Sequence, residues 1–170
     1  EQIDVAVVGG GIAGLITSVR AAELGLKVLL LEKGDEERYI CNTRYTGGNF
    51  HTCHRDIHDD ENALVDAINA NTAGAADPDL VRAVARDGRA AVQWLKGKGI
   101  RFIKAGVSDP SRFNTLAPPP PIKPGLNWEG RGGDVMMRTL HAALEKLGGK
   151  LMLGARAVAL LKEGNHCVGV

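Results

Sequence analysis

Apolar and polar residues follow one another in blocks that predict a strand, a helix and a second strand at the start of the chain. The apolar run Val5–Val8 is rich in β-branched valine, which favours a strand, and its unbroken apolarity indicates burial on both faces. Apolar residues then recur at helical spacing from Ile12 to Leu24, and Gly25 supplies the helix end. A second apolar run, Val28–Leu31, predicts a second strand of a parallel sheet.

Later blocks of the sequence predict three more helices. The first covers residues 61–70. The second has Asp77 as its N-cap and Pro78 in its first turn, and it extends to Gly97. The third ends at Gly148. Apolar residues recur at helical spacing along the second of these helices, at Leu80, Val84, Ala91 and Leu95.

Short apolar runs predict further strands in the second half of the chain. They cover residues 100–103, 150–153, 155–161 and 166–170, and the turn-forming residues 162–165 indicate that the last two pair as a hairpin. Residues 33–60 form a polar segment without periodicity, interpreted as a long loop, and residues 105–131 receive no assignment. The predicted fold class is therefore α/β: a Rossmann-like parallel sheet with helices, plus a small antiparallel β-hairpin.

Composition narrows the class of protein. The chain has 170 residues, of which 44% are hydrophobic and 24% charged, as in a globular domain, and its net charge of +1 points to neither nucleic acid nor a charged membrane surface. No apolar run has the roughly 20 residues of a membrane span, and no signal peptide is recognised. Three cysteines are too few and odd in number for a disulfide framework, so we expect reduced thiols and a cytoplasmic location. Because the predicted parallel strands are too few for a covered sheet, we expect the N-terminal portion of a longer protein.

The glycines between the first strand and the first helix carry the clearest chemical signal. Gly9, Gly11 and Gly14 fit the pattern G-x-G-x-x-G: the first allows a tight turn, the second allows backbone to approach a pyrophosphate, and the third lets helix and strand pack closely. The amides at the helix start can hold a diphosphate. Glu32 ends the second strand, where its carboxylate can accept hydrogen bonds from an adenosine ribose, which argues against NADP. The sequence therefore predicts a dinucleotide site.

Two alternatives of another class remain open at this point. Cys41, His51, Cys53, His54 and His58 are potential metal ligands, but their spacing is not that of a regular zinc site. Pro118–Pro121 favours polyproline geometry and suits either a covering loop or a scaffold that docks a proline-recognising partner. The polar stretch 41–54 contains the pair Gly47-Gly48, and its composition suits either a ligand-binding segment or a mobile surface loop.

Three motifs in order give the chain its resemblance to a known family. They are GGGIAG followed by Glu32-Lys33, then NTRYTGG at residues 42–48, then Arg131-Gly132-Gly133 before a helix, a strand and a hairpin ending in Val168-Gly169-Val170. The chain resembles the flavoproteins of the succinate dehydrogenase and fumarate reductase superfamily. It is most similar to the branch with tricarballylate dehydrogenase, flavocytochrome fumarate reductases and ketosteroid dehydrogenases. Residues 1–170 would be the N-terminal part of a two-dinucleotide-binding-type FAD domain, without the capping domain.

The resemblance implies FAD as the cofactor and assigns residues to it. Around the diphosphate lie Gly9, Gly11, Ile12, Ala13 and Gly14. Glu32 holds the adenosine ribose, Lys33 lies at the adenine end, and Ala157 offers backbone to the adenine. The residues along the ribityl chain and isoalloxazine are Asn42, Thr43, Thr46, Gly47 and Gly48.

Non-covalent FAD is expected, because family members with covalent flavin carry a His shortly before the Gly-Gly pair and this chain has none there. A cysteinyl link at Cys41 is the remote alternative.

The activity implied by the resemblance is hydride transfer between flavin and a carboxylate-bearing or ketone substrate. The substrate would be a di- or tricarboxylate or a ketosteroid, and a protein electron-transfer partner is possible. No catalytic residue is assigned, and the isolated chain is expected to be inactive. Arg131 and His51 are candidates for contact with a substrate carboxylate, although a structural role is the stronger interpretation of each. The rival within enzymes is an NAD-binding dehydrogenase domain.

Overall fold

The chain forms two compact units in the computed structural model. The structure describes residues 2–53, 55–105, 113–117 and 127–170. The first unit consists of Glu1–Tyr45 and Met137–Val170, and the second of Thr46–Met136.

The described residues form five helices and nine strands. The helices are α1 (Ile12–Glu23), α2 (Asn42–Tyr45), α3 (Glu61–Asn71), α4 (Pro78–Gly97) and α5 (Gly132–Lys146). The strands are β1 (Val5–Val8), β2 (Val28–Leu31), β3 (Asn49–Thr52), β4 (Arg55–Asp56), β5 (Phe102–Ala105), β6 (Phe113–Leu116), β7 (Lys150–Met152), β8 (Leu161–Glu163) and β9 (His166–Gly169). Within the described residues, no helix combines the length and apolarity needed to cross a membrane.

The first unit is built on a parallel sheet in the order β1-β2-β7. Its register pairs Val5 with Val28 and Leu30 with Leu151. Helix α1 packs on β1 and β2 and buries Leu15 and Val19 completely. The predicted α/β class, with parallel strands joined through a helix, is confirmed.

Strand β1 is less buried than its apolar run predicts. Its residues alternate between half-buried and exposed, and the side chain of Val8 is 54% exposed. The expectation of burial on both faces is therefore wrong. An unbroken apolar run shows that a strand is suited to burial on both faces. Whether it is buried depends on the elements that pack against it, and α1 packs on one face.

The second unit holds an antiparallel sheet in the order β4-β3-β6-β5, together with α3 and α4. Asp60 and Asp77 cap the two helices, because each carboxylate accepts two backbone N–H groups of the first turn. The prediction of one long loop over residues 33–60 is wrong, since α2, β3 and β4 lie there. Strand β3 forms by pairing with β6, far away in sequence, and this partner leaves no local pattern.

Helix α4 has the predicted bounds, but its buried face differs from the predicted apolar series. The buried residues are Val81, Ala85, Val92 and Leu95, whereas Leu80 and Val84 are 67% and 50% exposed. Both sets have helical spacing, so periodicity alone does not choose between them. Tertiary packing decides which face is buried. At Gly88, for example, the helix lies so close to Ile57 that a Cβ would be 2.7 Å from the Ile57 side chain.

The end of the chain agrees with the prediction in part. Strand β7 and the β8–β9 hairpin are present, and Gly164 occupies its turn with a φ of +61°. The predicted strand over 155–161 is wrong, since residues 155–160 have no regular structure. The predicted strand at 100–103 is found two residues later, as β5. The tetraproline stretch Pro118–Pro121 lies outside the described residues.

Candidate cofactor site

The turn from β1 to α1 is the centre of the candidate site. The Gly9 N–H donates to the Leu31 carbonyl at 2.8 Å, which ties the turn to the end of β2. Gly9 has a φ of +97°, a conformation that glycine adopts without strain. A Cβ on Gly14 would lie 1.9 Å from the Gly9 carbonyl oxygen, so no larger residue fits there. Two of the three motif glycines are thus required by the backbone alone.

The first turn of α1 faces the candidate site without a capping side chain of its own. Gly11 is the N-cap and forms no side-chain capping hydrogen bond, and the first turn contains no acidic residue. The Ile12 N–H donates instead to the Thr43 hydroxyl of α2, at 3.1 Å. A Cβ on Gly11 would lie 3.6 Å from that hydroxyl, an ordinary contact. A helix start of this kind suits an anion such as a diphosphate, because its N–H groups and dipole favour negative charge.

Glu32 lies where β2 ends and braces the glycine turn. Its carboxylate accepts the Gly10 N–H and the Gly34 N–H, both at 2.8 Å, and the residue is only 6% exposed. A carboxylate offers about four lone-pair sites, so two hydrogen bonds leave capacity for ribose hydroxyls. Sequence reasoning predicted the position of Glu32 but not its contacts with the main chain.

Tyr39 and His141 belong to this region but carry no recognisable sequence signal. The Tyr39 hydroxyl donates to the Gly10 carbonyl at 2.6 Å, and the His141 Nε2 lies 2.9 Å from the same hydroxyl. Arg44 is fully buried and its Nε donates to the Tyr39 carbonyl at 2.8 Å. Burial raises the pKa of Tyr39, while burial, followed by the charge of Arg44, lowers the pKa of His141. The glycine at position 10, which the G-x-G-x-x-G pattern does not require, is a local feature that could have pointed to a bulky neighbour such as Tyr39.

The other predicted site residues of the first unit differ in exposure. Ala13, Lys33 and Asn42 are exposed, while Ala157 is half-buried in the irregular stretch after β7. The structure therefore brings together the residues of the glycine turn with Glu32 and Thr43.

Thr46, Gly47 and Gly48 lie in the second unit. The Gly48 N–H donates to the Thr46 hydroxyl at 3.1 Å, and the Gly48 carbonyl accepts the Leu116 N–H at 2.9 Å. Gly48 is buried with a φ of +77°, and a Cβ on it would lie 2.9 Å from Leu116. His51 and Arg131, the two candidates for carboxylate contact, are half-buried in the same unit.

The described residues offer little support for a metal site. No three His, Cys, Asp or Glu side chains among them lie close enough together to hold a metal ion. The Cys41 thiol donates to the Met137 sulfur at 3.3 Å, and the His58 ring contacts Asp56 at 3.0 Å. His54, one of the residues considered as a zinc ligand, lies outside the part of the chain that the structure describes.

The glycine turn, the open helix start and the acidic end of β2 define a dinucleotide-binding α/β unit. The model of the FAD binding domain family matches residues 4–170, and the chain belongs to this family. L-aspartate oxidase of Mycobacterium bovis is 30% identical to it over 181 aligned positions, covering 100% of this chain and 32% of the relative. The chain thus spans about a third of the length of this curated relative.

Solved structures share the fold. A flavocytochrome c3 fumarate reductase in its open conformation has a TM-score of 0.75 and 24% identity, covering 98% of this chain and 29% of that one. A 3-ketosteroid-Δ4-(5α)-dehydrogenase from Rhodococcus jostii RHA1 has a TM-score of 0.73 and 22% identity, covering 94% and 39%. The predicted family of FAD-dependent, fumarate reductase-like flavoproteins is confirmed, and its cofactor is FAD. The rival assignment to an NAD-binding domain is therefore wrong.

Proposed function

We propose that this chain forms the diphosphate-binding part of the FAD site in an oxidoreductase that transfers a hydride between flavin and a carboxylate-bearing or ketone substrate. The observation that carries the proposal is the start of α1: Gly11 leaves the first turn without a capping side chain, beside the Thr43 hydroxyl. The relatives named L-aspartate oxidase and fumarate reductase support this reaction class. Residues 1–170 would be the N-terminal part of a two-dinucleotide-binding-type FAD domain, and would be inactive alone.

The residues of the chain bind and orient the cofactor. We assign the diphosphate to the start of α1, from Gly11 to Ala13. The helix dipole adds to the hydrogen bonds of the Gly11 and Ala13 amides, while the Ile12 N–H donates to the Thr43 hydroxyl. Glu32 uses its remaining acceptor capacity for the ribose. Lys33 and the backbone of Ala157 flank the adenine.

We assign the flavin end of the cofactor to Asn42, Thr43, Thr46, Gly47 and Gly48. Bound FAD supplies the hydride chemistry, while the protein supplies binding and orientation. FAD is expected to be non-covalent, so acid precipitation should release all visible absorbance into the supernatant. A flavin that stays with the precipitate would instead support the link at Cys41.

For the substrate and the electron partner, we propose only a chemical class. A small di- or tricarboxylate or a ketosteroid fits the reaction class, and a protein that exchanges electrons with the flavin is a possible partner. No described residue is assigned to proton transfer. The tricarballylate dehydrogenase-like assignment remains a prediction.

An FAD titration of the complete protein with a matched pair of glycine variants tests the site. Gly11→Ala places a methyl group at the helix start, at an ordinary 3.6 Å from Thr43, so the fold tolerates it. The same methyl group occupies the space in which backbone would approach the diphosphate, and we expect at least about tenfold weaker FAD binding, or about 1.4 kcal/mol. Quenching of flavin fluorescence on titration measures the affinity.

Gly97→Ala is the control for this titration. A Cβ at Gly97, the last residue of α4, meets nothing within 4 Å. This variant should bind FAD like the parent, with an unchanged or slightly higher melting temperature. If Gly11→Ala binds FAD as tightly as Gly97→Ala, the diphosphate does not lie at the start of α1. A colourless parent protein that binds NADH in place of FAD would overturn the cofactor assignment itself.

A further inference from the structure

We infer that Tyr39 is a positioning residue for the glycine turn, and that His141 fixes the direction in which the Tyr39 hydroxyl points its proton. The inference rests on the proposed function, because it concerns how the turn is held ready for the diphosphate of FAD. Neither residue belongs to the glycine motif or to the predicted cofactor contacts.

The peptide groups of Gly10 are held from two sides. Glu32 accepts the Gly10 N–H at 2.8 Å, and the Tyr39 hydroxyl donates to the Gly10 carbonyl at 2.6 Å. Both contacts are buried, and buried hydrogen bonds resist exchange with water. The carbonyl of Gly10 shares its peptide plane with the N–H of Gly11. Tyr39 therefore sets the orientation of the Gly11 amide, the first one at the start of α1.

Glycine at positions 10 and 34 makes room for Tyr39. A Cβ on Gly10 would lie 2.4 Å from the Tyr39 hydroxyl oxygen, and a Cβ on Gly34 would lie 2.5 Å from the Tyr39 Cβ. Tyr39 itself is only 2% exposed. The glycine at position 10 is a variable position of the G-x-G-x-x-G pattern, so the motif does not explain it. The space that the phenol ring of Tyr39 occupies explains why position 10 is glycine.

The proton count fixes the tautomer of His141. A phenol carries one proton, and Tyr39 gives it to the Gly10 carbonyl. The contact of 2.9 Å with His141 Nε2 must then run the other way, with Nε2 as donor and the phenol oxygen as acceptor. His141 thus carries a proton on Nε2, and it keeps the Tyr39 hydroxyl turned towards the backbone. Without this donor the hydroxyl can turn away from Gly10.

The test measures FAD affinity in the complete protein for a small set of variants. Tyr39→Phe keeps the ring and removes the hydroxyl, so the Gly10 carbonyl loses a buried donor; we expect about tenfold weaker FAD binding. His141→Leu removes the donor to Tyr39, with an expected loss of about threefold. His141→Gln offers an amide N–H in its place and should restore most of the parent affinity. Leu144→Ala is the control, since this buried residue of α5 has no part in the hydrogen-bond chain.

A second readout needs no flavin. In the protein without FAD, the amide resonance of Gly11 should shift in Tyr39→Phe and His141→Leu, because the hydrogen bond to the preceding carbonyl changes. It should stay in place in Leu144→Ala. The ¹⁵N spectrum of His141 should show the tautomer protonated on Nε2.

Each outcome decides for or against the inference. Parent-like FAD affinity of Tyr39→Phe, in a parent protein that binds FAD, overturns the role of Tyr39 and leaves the proposed function intact. A parent protein that does not bind FAD overturns both. If Tyr39→Phe fails to fold, the two His141 variants decide: equal affinities for Leu and Gln contradict the inference, whereas weakening by Leu alone supports it.

Discussion

The two units of this protein use polar side chains in different ways. In the first unit, Glu32 and Tyr39 direct their polar atoms at the main chain of Gly10. In the second, Asp56 is the centre of a side-chain cluster, in which its carboxylate accepts from the ring and N–H of His58, contacts Asn114 and pairs with Lys104. Polar groups that hold a backbone turn leave it preorganised for a ligand. Polar groups that satisfy one another instead join β4 to other strands of its sheet, since Asn114 lies on β6 and Lys104 on β5.

Two glycines, one from each unit, differ in how closely the neighbouring atoms pack against them. Gly14 in the first unit lies against the carbonyl of Gly9, so that its replacement disturbs the site directly. Gly97 in the second unit has open space around it. A comparison of variants in both units can therefore separate binding from stability.

The largest effect is expected for Gly14→Ala. Its Cβ would lie 1.9 Å from the Gly9 carbonyl oxygen, and because both atoms belong to the backbone, the helix must move away from the strand. We expect a loss of about 3 kcal/mol or more in the free energy of unfolding, together with loss of FAD binding. Thermal and urea denaturation, with Gly97→Ala as the control, measure it. Parent-like stability of Gly14→Ala would contradict the tight packing between strand and helix.

A smaller effect is expected for Asp56→Ala in the second unit. The variant leaves the ring and N–H of His58 and the amide of Asn114 without their common acceptor, at an expected cost of about 2 kcal/mol. Asp56→Asn keeps an acceptor oxygen but loses the charge, and should cost about half as much. Urea denaturation measures the free energy of unfolding. In the FAD titration, Asp56→Ala should lose less FAD affinity than Gly11→Ala does. A tenfold loss of FAD affinity in a folded Asp56→Ala protein would break the contrast between the units.

The smallest effect concerns pH. Burial and the charge of Arg44 lower the pKa of His141 from its ordinary value of 6.5 in the folded chain, so the folded state binds a proton there less readily than the unfolded chain does. Stability is therefore expected to fall as the pH drops below about 6.5 and to stop falling once the pH is below the folded pKa. His141→Gln removes this contribution and should give a shallower decline in melting temperature. His166→Gln, on the exposed β8–β9 hairpin, is the matched control, and an identical decline in both variants would contradict the assignment.

Local signals in the sequence predicted much of the first unit. The bounds of β1, α1 and β2 follow from apolar periodicity and from glycines next to the helix, all within residues 5–32. The caps Asp60 and Asp77 act on the N–H groups two and three residues later, so the start of α4 was also predictable. The position of Glu32 followed from the strand that precedes it.

Other features needed partners from elsewhere in the chain. Strand β3 pairs with β6 across more than sixty residues, which explains why residues 33–60 were interpreted as a loop. The buried face of α4 depends on which neighbour packs against it, and two faces had suitable spacing.

The sequence by itself determined the βαβ start, the family and the position of the acidic residue after β2, because each depends on residues close together along the chain. Only the tertiary structure decided the contact of the Tyr39 hydroxyl with the Gly10 carbonyl, 29 positions away, and its contact with the His141 ring, 102 positions away. The physical reason is the range of the interactions. Backbone geometry and helix caps act over a few residues, whereas a buried hydrogen bond requires two distant segments to be folded against each other.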